Sequence, residues 1–200
     1  MRCGSASALG AQCLSRYLTA GQVPAFANYP APYRSSILGE GKALSYAPNL
    51  GWEHMHRLRD LWKGNLVLKG ILRVEDAILA TRLGADGIVV SNHGGRNLDS
   101  AVAPIEVLAE IVDTVGQQIT VFADSGVQRG SDILKLLAVG AKAIMLGRSL
   151  LYGTAVGGMS GASRMIGILR RELDTAMAQS GCKDIRELDR TLLQLPDRIR

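Results

Sequence analysis

Two eight-residue segments, Leu83-Gly84-Ala85-Asp86-Gly87-Ile88-Val89-Val90 and Val139-Gly140-Ala141-Lys142-Ala143-Ile144-Met145-Leu146, share one order: apolar, Gly, Ala, charged, small, then three apolar residues. In each, the glycine suits a left-handed cap that ends a helix, and the apolar triplet suits the strand after it. A helix handed twice into a short apolar strand points to right-handed βαβ units around a parallel sheet. Such strands are covered on both faces, which is why Ile88-Val89-Val90 shows no polar alternation.

The rest of the chain from Trp52 onward obeys the same alternation. Trp52, Met55, Leu58 and Leu61 recur at helical spacing up to Trp62, and Leu66-Val67-Leu68-Lys69-Gly70 reads as a strand. Val74 to Arg82 reads as a helix with Glu75 and Asp76 in its dipole-favourable first turn, and Gly87 to Ser91 as the next strand. Pro104 opens a helix to Val115, Thr120 to Asp124 is a strand, and Ser131 to Leu137 a helix. Ala143 to Leu146 is the fourth strand, with a long amphipathic helix expected over about Gly161 to Gln179 and a basic helical tail after it. Four such units suit either a doubly wound sheet or half of a (β/α)8 barrel.

Residues 1–50 are different. Pro24, Pro30, Pro32 and Pro48, with Gly10, Gly21, Gly39 and Gly41, interrupt long helices, and only a short helix around Ala8 to Leu18 is expected. No acidic residue precedes Glu40. That composition suits a transit peptide or a loop-rich segment, and the loop-rich segment is the expectation. Gln12 and Arg16 interrupt the one apolar stretch that could serve as a secretory signal.

Composition excludes some classes. The net charge of +5 comes from 23 basic and 18 acidic residues scattered without a block, so nucleic-acid binding is not expected. Cys3, Cys13 and Cys182 have neither metal-ligand spacing nor a disulfide framework, which suits a reducing, cytoplasmic compartment. His54 and His56 lie two apart on a helix and do not face each other, so no metal is expected.

Chemistry gathers where the strands end. If the strands are parallel, their carboxyl ends present Lys69, then Ser91-Asn92-His93-Gly94-Gly95-Arg96, then Asp124-Ser125-Gly126, then Gly147-Arg148. An imidazole can take a proton near neutrality, and a guanidinium can hold a carboxylate through two charge-assisted hydrogen bonds. Taken singly, His93 with Arg96 suits a polar turn, Lys69 a surface lysine and Asp124 a helix cap. Together they suit a binding rim, with Arg148 and the amides around Gly126 and Gly147 matched to a phosphate monoester.

These four motifs, with Arg129-Gly130, resemble those of the FMN-dependent α-hydroxy-acid dehydrogenases and oxidases, which include lactate and mandelate dehydrogenases and glycolate oxidases. The resemblance runs from about Trp52 to Leu188. It implies the C-terminal half of a (β/α)8 TIM barrel over residues 51–200, with 1–50 matching the variable segment between the fourth and fifth strands. It implies FMN as cofactor and a small 2-hydroxy acid, lactate- or mandelate-like, as substrate. By the same resemblance His93 is the catalytic base, Arg96 the carboxylate clamp and Lys69 the neighbour of the flavin ring. Ser91 would bond the ring and Asp124 the ribityl chain. Ser125, Gly126, Gln128, Arg129, Gly147 and Arg148 would complete the cofactor site.

Gln128 stands where the family usually has the first of two arginines, a change that weakens a phosphate contact by about 1 kcal/mol. Asn97 stands where glutamine is common. The family's first four strands have no counterpart here, and with them go a substrate-contacting tyrosine and the aspartate that orients the histidine. None of Tyr17, Tyr29, Tyr33, Tyr46 or Tyr152 lies in that tyrosine's context. The alternative to an active enzyme is therefore a truncated half-barrel without catalysis. The resemblance also implies a homo-oligomer, an acceptor that is oxygen, quinone or a cytochrome, and peripheral association with the inner face of a membrane through the basic first segment.

Overall fold

The computed structural model describes Ser15, Thr19 and residues 49–194, and the chain divides into two units, residues 1–51 and 52–200. The expected helix around Ala8 to Leu18 lies almost wholly outside the described residues, as do Cys3 and Cys13. Among the described residues, every strand belongs to the second unit.

Its order is α1 (Trp52–Leu61), β1 (Val67–Ile71), α2 (Val74–Leu83), β2 (Gly87–Val90), α3 (Pro104–Val115), β3 (Thr120–Ala123), α4 (Gly130–Val139), β4 (Ala143–Ile144) and α5 (Arg148–Gln179). All neighbouring strands pair in parallel, in the spatial order β1-β2-β3-β4. A doubly wound sheet would reverse its strand order at a switch point, whereas this sheet advances one way only, as a barrel does. The fold is thus four consecutive (β/α) units, half of a (β/α)8 barrel.

The sheet faces divide the residues cleanly. Leu68, Ile88 and Val121 sit side by side in register and are buried, as are Val90 and Ala123 two residues on. These belong to the main apolar core, beneath α2 to α4. Helix α3 supplies Leu108, Ile111 and Val115, all at most 2% exposed and on one face. Each such side chain contributes about 1.5–3 kcal/mol relative to exposure. The opposite face carries Val67, Lys69, Val89 and Phe122, of which Val67 is 45% exposed.

The repeated turns fold alike. In the first, Gly84 N–H donates to Thr81 and Ala85 N–H to Ala80. In the second, Gly140 N–H donates to Leu137 and Ala141 N–H to Leu136. This is the paired-bond helix ending that a glycine at positive φ allows. Gly84 is in the left-handed helical region as expected, while Gly140, at φ 124 and ψ 7, lies outside it.

Two expectations need correction, and a third is extended. The fourth strand is only Ala143–Ile144, although the Met145 N–H still donates to the Ala123 carbonyl at 2.9 Å. The long helix covers the expected Gly161 to Gln179 and extends further back. It starts at Arg148, and non-helical angles at Gly157 and Gly158 divide it into two segments. The segments approach so closely that a Cβ on Gly153 would lie 2.6 Å from the Gly161 carbonyl oxygen, which explains glycines that resemble loop residues in sequence. The tail contains 3-10 turns at Ile185–Glu187 and Arg190–Leu192 rather than a regular helix. Arg190 anchors it, holding both Asp113 carboxylate oxygens at 2.8 Å and reaching the Val139 and Ala109 carbonyls. No helix among the described residues is long and apolar enough to cross a membrane.

Candidate active site

The carboxyl ends of β1, β2 and β3 are tied together by polar side chains. Lys69 Nζ donates to Ser91 Oγ at 2.6 Å and pairs with Asp124 Oδ2 at 2.6 Å. Ser91, completely buried, also accepts the His93 N–H at 3.1 Å. Ser125 Oγ donates to Asp124 Oδ1 at 2.8 Å and accepts the Gly94 N–H at 3.1 Å. One network thus joins three strands and the His-Gly-Gly turn. Burial pushes the Asp124 carboxyl up, but hydrogen bonds from Lys69, Ser91 and Ser125, with the lysine charge, outweigh it and hold the group below its ordinary 3.8.

Local chemistry shapes the turn after β2. Asn92 Oδ1 accepts the N–H groups of Gly94 (2.9 Å) and Gly95 (3.2 Å), an Asx-type cap on the single 3-10 turn His93–Gly95. His93 and Ser125 both have positive φ, at 55° and 72°. Such conformations cost of order 1–3 kcal/mol each and persist where surrounding contacts enforce them.

These loops border an open cleft of about 870 Å3. Of the residues expected from sequence, Lys69, His93, Arg96, Asp124, Ser125, Gly126, Gln128, Gly147 and Arg148 line it. Ser91 lies beneath it, supporting Lys69. The Arg148 guanidinium packs against Gly94, bringing the fourth strand's loop to the second's. Among the described residues, the His93 ring and the guanidinium groups of Arg96 and Arg148 have no hydrogen-bonding or ionic partner.

Arg129 is placed elsewhere. Its Nε pairs with Glu172 Oε1 at 3.1 Å, and Glu172 Oε2 accepts the Gly130 N–H at 2.9 Å. Asp132 takes the amides of Gln128 and Arg129, at 3.0 and 2.9 Å. The start of α5 is different, for Gly147 provides no side-chain cap to the first amides of that helix. Asp99, Val127, Met145, Ser149, Leu151, Tyr152 and Met165 also line the cleft and were not foreseen. Only Asp99, three residues past Arg96, carried a sequence signal: an acid beside the motif.

A glycine-rich rim of this composition, on four units that advance in one direction, has clear relatives. The model of the FMN-dependent dehydrogenase family matches residues 16–195. The chain belongs to that family. It is 48% identical over 148 residues to an L-lactate oxidase of Nostoc sp., a match covering 74% of this chain and 40% of the oxidase. A soluble mutant of the membrane-associated (S)-mandelate dehydrogenase from Pseudomonas putida superposes with a TM-score of 0.70 at 47% identity, covering 73% of this chain and 41% of that one. A mutant flavocytochrome b2 with pyruvate bound gives a TM-score of 0.71 at 43% identity, covering 76% and 40%. The chain therefore spans about two-fifths of the length of these family members.

Proposed function

We propose that this chain carries the FMN-binding and catalytic-base half of an FMN-dependent dehydrogenase or oxidase that converts an L-2-hydroxy acid, lactate- or mandelate-like, to the 2-oxo acid. The observation that carries the reading is the convergence of His93, Arg96, Lys69 and Arg148 on one cleft, with Asp124 fixing Lys69. Bound there, FMN supplies the two-electron acceptor. His93 takes a proton from the hydroxy acid while Arg96 holds its carboxylate. The Lys69 ammonium favours negative charge at its end of the cleft, and Ser91 and Asp124 orient that ammonium. Gly126, Gly147 and Arg148, with the uncapped amides at the start of α5, suit the phosphate.

A second reading, a half-barrel that does not retain flavin, is favoured by one observation. Gln128 is neutral, and Arg129 is engaged with Glu172. Loading the chain with FMN and recording its visible spectrum, then adding L-lactate or (S)-mandelate without oxygen, separates the two. Retained flavin that is bleached by a hydroxy acid supports the enzyme. Loss of flavin on gel filtration rejects it in favour of the second reading.

Residues 1–50 act in this proposal as a separate segment whose acid-free first 39 residues suit adsorption to an anionic inner membrane face. Exposed Leu151, Val156 and Met159 on α5 suit a homo-oligomer. Vesicle sedimentation and light scattering test these two points. The final acceptor, whether oxygen, quinone or a cytochrome, is read by supplying each to the reduced protein.

A further inference from the structure

β1 and β2 slip register once. Lys69 pairs with Val89 and Ile71 with Val90, so Gly70 is an extra residue without a partner on β2. Its φ is +100, a conformation that L side chains rarely adopt. Bulges of this kind bend a strand and re-aim what lies beside it. Here the space left by the missing side chain is in use: a Cβ on Gly70 would lie 3.0 Å from His93 Nε2 and 3.7 Å from its Cε1. The imidazole, carried by the loop of the next strand, rests against the bare backbone of the bulge.

We infer that Gly70 is a positioning residue, and that the bulge in β1 sets where the His93 ring sits. The inference rests on the reading of His93 as the base. Two constraints fix the ring between them: the His93 amide is held by Ser91 Oγ, and the far edge of the ring meets Gly70. A methyl group at 3.0 Å is inside ordinary van der Waals contact, so the ring must shift by some tenths of an ångström or rotate. A base acts only within about 2.6–3.2 Å of its proton, and misplacement of about 1 Å can cost about a hundredfold in rate.

The test is Gly70→Ala, with Gly84→Ala as its control. Gly84 also has positive φ, +78, but nothing lies within 4 Å of its Cβ and it is in the turn between α2 and β2. The chain has three histidines, so the His93 imidazole signals can be followed directly by NMR. Gly70→Ala should move those signals and, in the FMN-loaded chain, lower kcat about tenfold to a hundredfold with KM changed much less. Gly84→Ala should lower Tm while leaving both readouts alone. Unmoved His93 signals in Gly70→Ala, or equal movement in Gly84→Ala, would overturn the inference.

If Gly70→Ala does not fold, it is combined with His93→Ala, which removes the ring. A double variant as stable as Gly84→Ala supports the inference, and one that still fails to fold rejects it. The NMR and stability arms do not depend on turnover. Failure of His93 as the base appears separately, as activity retained by His93→Gln.

Discussion

The cleft has two sides that differ in how their charges are met. On one, Lys69, Ser91, Asp124 and Ser125 satisfy each other through bonds of 2.6 to 2.8 Å and tie three strand ends together. On the other, the side chains of His93, Arg96 and Arg148 line the same space with no hydrogen-bonding or ionic partner among the described residues. A paired cation is held in place with part of its field met by its partner, while an unpaired one at a cleft wall is wholly available to an anion that enters. The paired side is a platform, and the open side is kept for ligands.

If that contrast is right, substitutions on the open side should strike turnover and spare the fold. The largest effect is expected from His93→Gln, with kcat lowered by about 10²–10⁴ in the FMN-loaded chain and an unchanged melting curve. Next is Arg96→Lys, which keeps the charge but loses the two-pronged grip. We expect kcat/KM for hydroxy acids to fall by about 10²-fold, with flavin content unaffected. An equal loss of stability in either variant would break the contrast.

Gln128→Arg sharpens it by adding a cation to the open side. It should tighten FMN binding about fivefold, measured by flavin fluorescence quenching, consistent with about 1 kcal/mol for a charge-assisted bond. Weaker binding would show that Gln128 does not face the phosphate.

The smallest effect belongs to the platform. Asp124→Asn removes the lysine's counter-charge and should lower stability at pH 7 by about 1 kcal/mol, measured by urea denaturation. The sign follows from linkage. Because folding holds the Asp124 carboxyl below 3.8, its contribution is present above that pH and is lost as pH falls through the lowered value. The gap between wild type and variant should therefore narrow in acid, and a gap that widens would contradict the assigned pairing.

Much of this was legible in the residues. The helical spacing after Trp52, the β-branched runs, Pro104 at a helix start and the paired glycine turns place four strands and four helices to within about two residues, and the rim follows from what lies at the strand ends. Three features escaped for physical reasons. The helical segment that starts at Arg148 was not read because intrinsic propensity penalises glycines such as Gly153 in helices, whereas here its close crossing with the segment that contains Gly161 overrides it. The ion pair of Arg129 was not read because local sequence does not disclose Glu172, 43 positions on, that receives it. The Gly70 bulge was read as the plain end of a strand, since the imidazole that occupies its space is brought by another loop. Membership of the family was carried by the motifs themselves, each intact apart from Gln128 and Asn97.

The two matched turns after α2 and α4 separate what holds the fold from what varies at the site. Each ends a helix with the same pair of amide bonds, and the backbone N–H of the next charged residue then donates at 2.8 Å to a carbonyl at or just before the preceding strand, Asp86 to Leu66 and Lys142 to Val121. The charges differ, yet the joint is the same. A joint held by backbone bonds alone leaves the far end of the strand it feeds unconstrained, and that end leads to His93 in one unit and to Arg148 in the other.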